Sequence, residues 1–289
     1  MWFIYALLGA VGKSYSGFFR KKIAKSVSSA MYIWVAYSLI LIAFTPFMLS
    51  DFSELKRAVI ELPLVVIGAV LSSLFATKLN MEALKREELS YTAPLNAFVP
   101  LFTLLIAGVF LNESPPKYGI IGVLAIVMGA YIVSIKPNRI NWYDPMKRLA
   151  TSAGAQLSIA VALFYAVNTV LIKVMTNDGF GSLTVFYLTT LIGWIFLLYV
   201  PILKHKELKA IERSDKFAVL GGGISSFASG YFHILATANT FTSYATSVRR
   251  LDSLISILLG WRYLKETNIR IKLLGAGIMT VGTILLAIS

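Results

Sequence analysis

LSYTAPLNAFVPLFTLLIAGVFLNE at residues 89–113 and TSYATSVRRLDSLISILLGWRYLKE at residues 242–266 fall on one another under a constant shift of 153 positions, the difference between 243 and 90. Ser90 and Tyr91 lie over Ser243 and Tyr244, and Leu111 and Glu113 over Leu264 and Glu266. Extended outward without a gap, the shift lays Leu64 to Ile135 on Phe217 to Ile288. It pairs Gly68 with Gly221, Ser72 and Ser73 with Ser225 and Ser226, Gly122 with Gly275, and Gly129 with Gly282. Each identity is weak alone, but the unbroken register reads as two copies of one unit.

Composition names the solvent of these copies. The chain is 57% hydrophobic and 14% charged with a mean hydropathy of +0.74, against roughly one-quarter charged residues in a soluble domain. Stretches able to cross about 30 Å of hydrocarbon at 1.5 Å per residue recur along its whole length. Ten are expected, near residues 2–19, 30–49, 64–84, 90–111 and 118–135, then 155–175, 182–201, 217–238, 241–260 and 271–288. The first is read as a retained helix, because it lacks a basic segment before it and its cations, Arg20 to Lys25, come after it. The polar interruption at 136–154, with Pro137, Asn138 and Pro145, divides a first five-helix repeat (1–135) from a second (155–289).

The net charge of +13 matters here by its distribution among loops. Cations crowd alternate loops: Arg20, Lys21, Lys22 and Lys25; Lys85 and Arg86; Lys136, Arg139, Lys147 and Arg148; Lys204 to Lys216; and Arg262 to Lys272. The other loops hold only Lys56, Arg57, Lys117 and Lys173. By the positive-inside rule the rich set is cytoplasmic, which places both termini outside and the protein in the cell membrane as a multi-pass chain. Five helices per copy is odd, so the copies are inverted. The expected fold is therefore all-α integral membrane, ten transmembrane helices in two inverted five-helix repeats around a central cavity, with a substrate site near the midplane and alternating access between the repeats.

With that arrangement, the segments Ser90-Tyr91-Thr92-Ala93-Pro94-Leu95-Asn96 to Glu113 and Ser247-Val248-Arg249-Arg250-Leu251 to Glu266 resemble the drug/metabolite transporter superfamily, in particular its ten-helix EamA-like branch. The resemblance covers essentially the whole chain. It implies a cavity walled by the first, third, fourth, sixth, eighth and ninth helices, with the fifth and tenth as a packing pair. Gly122, Gly129, Gly275 and Gly282 suit that pair: seven apart, they share a helix face and admit close backbone approach.

Ionisable residues inside apolar spans carry the site reading, since each costs about 2.5–3.5 kcal/mol at a helix centre unless paired or hydrated. Lys13 stands eleven residues past Trp2, roughly 16 Å along its helix and near the midplane. Lys78 and His233 occupy equivalent helices, opposite Tyr231 and Asn80 respectively. Arg249, Arg250 and Asp252 lie deep in the ninth span; Arg249 and Asp252, three apart, can pair on one face and leave Arg250 without a local partner. That pairing serves either a site or a structural bridge.

Four cations against one acid point to a cationic cavity suited to a carboxylate or phosphate, or to a zwitterion. Tyr15, Asn96, Asn168 and Tyr231 supply hydroxyl and amide groups for the same binding site. Arg249-Arg250 resembles the basic pair of the sugar-phosphate and nucleotide-sugar carriers, whereas Asn96 stands where that branch has a lysine. Tyr91 and Tyr244 are expected at the bilayer interfaces, and Glu113 and Glu266 at matched helix ends as structural residues.

The expected activity is secondary transport, as an exporter or exchanger of small polar metabolites such as amino acids or organic anions. Proton-coupled export of cationic drugs, with His233 as proton carrier, and sugar-phosphate or nucleotide-sugar exchange are the alternatives. The chain has no Walker loop, no metal-ligand spacing around His205 and His233, and no cysteine, so no enzyme activity, metal or cofactor is expected. Its partners are the lipid bilayer and a small-molecule substrate, not nucleic acid. Two repeats supply both halves of a site, so a monomer suffices.

Overall fold

A computed structural model describes residues 1–48, 52–96, 98–113, 117–133, 135, 151–204, 213–266 and 269–288. Every regular element among them is helical. The first half contains α1 (Trp2–Ile23), α2 (Ser29–Met48), α3 (Phe52–Glu61), α4 (Pro63–Arg86), α5 (Leu89–Leu95), α6 (Phe98–Phe110) and α7 (Lys117–Val133). The second contains α8 (Ala153–Asn177), α9 (Ser182–Phe196), α10 (Tyr199–Leu203), α11 (Arg213–Ala238), α12 (Thr242–Arg249), α13 (Asp252–Leu264) and α14 (Ile269–Ile288). Ser29–Met48, Pro63–Arg86, Ala153–Asn177 and Ser182–Leu203 are long and apolar enough to cross a bilayer, and Phe98–Phe110 and Gly119–Gly129 are shorter apolar helices. The protein is a multi-pass, all-helical membrane protein. Of the expected linker, residues 136–150 lie outside the described residues, and its last two, Ala153 and Gly154, already belong to α8.

Three departures from the expected spans matter. The stretch after α2 forms the separate polar helix α3. The fourth and ninth spans, expected to be continuous, are each broken in two, between Leu95 and Phe98 and between Arg249 and Asp252. The breaks fall within one residue of the positions matched by the 153-residue shift. A broken helix leaves carbonyls without intrahelical donors, and in a membrane these must be satisfied by other protein groups.

Packing follows the repeat. α1 lies along α11, α4 along α8, and α7 along α14. Small residues set these distances: a Cβ on Gly12 would stand 2.6 Å from the Ser229 amide nitrogen, and one on Gly282 would stand 2.7 Å from the Gly122 carbonyl oxygen. A Cβ on Gly129 would collide with the Gly275 carbonyl. The close approach expected of the paired glycines in α7 and α14 is therefore present.

The ends of the bundle carry duplicated fastenings. Lys21 Nζ donates to the carbonyls of Leu84 and Glu87 at 2.7 and 2.6 Å. Lys173 Nζ donates to those of Thr237 and Thr240 at 2.9 and 3.1 Å, and the shift of 153 carries 84 to 237 and 87 to 240. Glu266 accepts from the amides of Leu89 and Ser90 at the start of α5, while Glu113 accepts from the amide and hydroxyl of Thr242 at the start of α12. Each glutamate thus neutralises orphan donors at a helix N-terminus. Each is aimed by the residue before it, Asn112 (φ 52°) or Lys265 (φ 56°), whose left-handed backbone folds the glutamate amide back onto the Ala107 or Gly260 carbonyl.

The two sets lie at opposite ends. Ser152, which caps α8, donates to Glu87 beside the C-terminus of α4, so α8 starts at the Lys21 end. Lys173 follows some 21 residues later, about 30 Å away at 1.5 Å per residue.

Candidate functional site

Between α1, α2, α4, α8, α9, α11 and α12 lies a cavity of about 130 Å³. Its cations are Lys13 and Arg20 from α1 and Arg249 from the end of α12. Among its described lining residues there is no carboxylate. The rest of the wall is phenols, amides and hydroxyls, including Tyr32, Tyr37, Tyr165 and Asn168, with Ile40 and Phe186 as apolar patches.

Lys13 and Arg20 are seven apart on α1, two turns along one face. Lys13 Nζ lies 3.9 Å from the centroid of the Tyr165 ring, a cation–π distance that replaces part of the ammonium's lost hydration. Arg20 is fixed through one edge of its guanidinium: Nη2 and Nε donate to Ser16 Oγ at 2.7 and 3.1 Å, and Nη1 donates to Asn80 Oδ1 at 3.1 Å. Ser16 Oγ is bonded to Ser226 Oγ, which meets the Tyr32 hydroxyl at 3.0 Å. This relay ties α1, α2, α4 and α11 around one fixed positive charge. A guanidinium has five N–H groups; the Tyr165 side chain takes a fourth, which leaves one for a ligand.

Arg249 Nη2 donates to Ser229 Oγ at 2.5 Å, and its buried Nε has no partner among the described residues. His233 stands opposite α8. Thr169 spends its one hydroxyl proton on the Tyr165 carbonyl at 2.7 Å, so at 3.2 Å from His233 Nε2 it can only accept. Nε2 is thereby the donor, and the buried Nδ1 has no partner among the described residues. The arrangement can hold a small anion by two or three cations and orient it with hydroxyls, and buried charge-assisted bonds of this kind are the strong ones.

The structure brings together Lys13, Asn168, His233 and Arg249 of the residues expected from sequence. The others go elsewhere. Arg250, 1% exposed, turns away from the cavity: Nη1 donates to the Asn96 carbonyl at 3.2 Å and Nε to the Thr246 carbonyl at 3.4 Å. The expected Arg249–Asp252 pair does not form. The Arg249 guanidinium is turned to Ser229 instead, and the buried Asp252 Oδ1 has no hydrogen-bond partner among the described residues. Asp252 and Asn96 instead line a much smaller hollow shared with Lys13 and Arg20.

Tyr231 is stacked on Phe227 at 5.6 Å and packs edge-on against Phe186, behind the cavity wall. Tyr15 is 42% exposed and Lys78 lies on the outer flank, so neither reaches the cavity. Tyr244 is buried under Gly119, and the Tyr91 side chain lies outside the described residues, as does His205.

Sequence reasoning missed Arg20 and Tyr165. Arg20 begins the run Arg20-Lys21-Lys22 and was counted with a cytoplasmic loop, yet it is 4% exposed. Its spacing of seven from Lys13 was the available signal. Tyr165 carried none beyond its place one turn before Thr169.

A solved crystal structure shares the fold at a TM-score of 0.72 over 98% of this chain and 96% of that one, with 14% sequence identity. Three plastid proteins are similar in sequence. A triose phosphate/phosphate translocator of non-green plastids from Brassica oleracea var. botrytis is 24% identical over 203 residues, 68% of this chain and 46% of that protein. Phosphoenolpyruvate/phosphate translocators 1 and 2 of Arabidopsis thaliana are 29% and 23% identical, each over 139 residues, covering 47% and 48% of this chain and 30% and 34% of theirs. The chain thus aligns with less than half the length of these relatives. The EamA-like transporter family model matches residues 1–135 and 152–288, nearly the entire sequence, and the chain belongs to that family.

Proposed function

We propose that the protein is a secondary carrier that exports or exchanges a small anionic or zwitterionic metabolite by alternating access. The observation that carries this reading is the cavity lined by Lys13, Arg20 and Arg249 with no carboxylate among its described lining residues. Such a cavity repels cationic compounds and is stabilised by an anion. The proposed architecture is ten spans in two inverted five-helix repeats, residues 1–135 and 155–289, working as a monomer in the cell membrane with both termini outside. The matched fastenings at opposite ends of the bundle support inversion, because a repeat related by simple translation would place them at the same end.

Exchange of an organic phosphate is the second reading, favoured by the names of the plastid relatives and by arginines whose planar forks suit phosphate. Both readings are separated by counterflow into proteoliposomes. Vesicles preloaded with an amino acid, a small carboxylate, phosphoenolpyruvate or inorganic phosphate are given the labelled counterpart. Uptake that requires an anion or zwitterion inside and falls at least tenfold in Arg249→Gln supports the carrier reading, and the preferred preload chooses between substrates. Transport of cationic dyes that is indifferent to Arg20→Gln and Arg249→Gln overturns it.

A further inference from the structure

Lys78 has no hydrogen-bond or ion-pair partner among the described residues, and it faces outward from α4. It stands eight residues before Arg86, the last residue of that helix, hence about 12 Å short of the helix end. An uncompensated ammonium at that depth is costly, and a lysine stem can extend toward the interface but gains most from a counter-ion brought to it.

The surroundings of Lys78 are graded along the membrane normal. It lines a groove of about 320 Å³ on the flank of the bundle between α2, α4 and the α9–α10 segment. Toward the helix ends the wall is polar, with Lys78, Lys204 and Ser29; deeper it is apolar, with Ile33, Leu71 and Phe75. Leu71 and Phe75 are 38% and 47% exposed on the same face. Lys204 is held over the start of α2 by a 2.8 Å bond from its Nζ to Ser28 Oγ. A cationic rim above an apolar trough, at the end of the bundle with the densest basic residues, has the polarity of a phospholipid.

We infer that this flank is a binding site for one anionic phospholipid, its headgroup phosphate between Lys78 and Lys204 and an acyl chain along Ile33, Leu71 and Phe75. Neither lysine lines the central cavity, so the site stands or falls separately from the transported substrate. Juxtamembrane lysines attract anionic lipid in this manner.

The test is native mass spectrometry of the delipidated full chain in detergent, titrated with phosphatidylglycerol and with phosphatidylcholine of the same acyl chains. One phosphatidylglycerol should bind in preference to phosphatidylcholine, and Lys78→Leu and Lys204→Met should each weaken it about fivefold. Lys78→Gln provides the same reading if the leucine variant does not fold. Equal binding of the two lipids, or unchanged phosphatidylglycerol binding in the Lys78 variants, overturns the site. Displacement of the lipid by millimolar glycerol phosphate or inorganic phosphate also overturns it, since the groove would then hold a free anion.

Discussion

Arg250 donates from Nη1 to the backbone carbonyl of Asn96, 3.2 Å away and 154 residues earlier in the chain. The side chain at one helix break adds a second, charged donor to a carbonyl at the other that already accepts from the Val99 amide at 2.9 Å, so the two broken helices are joined there. Arg250→Ala should lower stability by about 1.5–3 kcal/mol, because it removes the charge-assisted bond to the Asn96 carbonyl, which keeps only its bond from the Val99 amide, while Arg249→Ala at the same depth costs less. Thermal unfolding of the purified variants measures the difference, and equal effects would contradict the division of labour between the two arginines.

Ligand affinity should divide the other way. Arg20 and Arg249 face the cavity, and loss of one charge-assisted hydrogen bond of about 1.5–3 kcal/mol corresponds to a tenfold to hundredfold loss of affinity. Thermal stabilisation by an anionic or zwitterionic ligand should vanish in Arg20→Gln and Arg249→Gln and persist in Tyr15→Phe, which lies outside the cavity. Persistence in the arginine variants would place binding elsewhere.

The paired lysine clamps should control the two ends of the bundle separately. The chain has no native cysteine, so Ser229→Cys creates a single reporter in the cavity. Lys173→Met should raise its labelling by an impermeant thiol reagent from one membrane face, and Lys21→Met from the other. Increased labelling from the same face in both variants would refute opposed clamps.

Glycine packing supplies a stability contrast. Gly12→Ala drives a methyl to 2.6 Å from the Ser229 amide and should cost about 1–3 kcal/mol by forcing α1 from α11. Gly277→Ala meets nothing within 4 Å and should be neutral or slightly stabilising, since alanine favours helix over glycine by roughly 1 kcal/mol. Unfolding midpoints of the pair check both signs.

Lys13 and Arg249, which line the cavity, were legible because depth in an apolar span can be counted along a helix. Arg20 was not, since a cation at the end of a span reads as part of a loop until the neighbouring helices show that it is covered. Lys78 failed in the opposite direction: equal depth does not say which face of α4 it occupies. Arg250 sits next to Arg249 in sequence yet does different work, because adjacent residues on a helical backbone point about 100° apart, one into the cavity and the other into the seam.

The sequence alone determined the solvent, the helical class and the family, because hydropathy, length and register are properties of the linear chain. It also paired the residues that later proved to make equivalent contacts, Leu84 with Thr237 and Glu113 with Glu266. Only the tertiary structure decided where the fourth and ninth spans break and which charges meet in one cavity. Those outcomes depend on how helices rotate against one another, and rotation is set by contacts such as Gly12 against Ser229 that no single helix encodes.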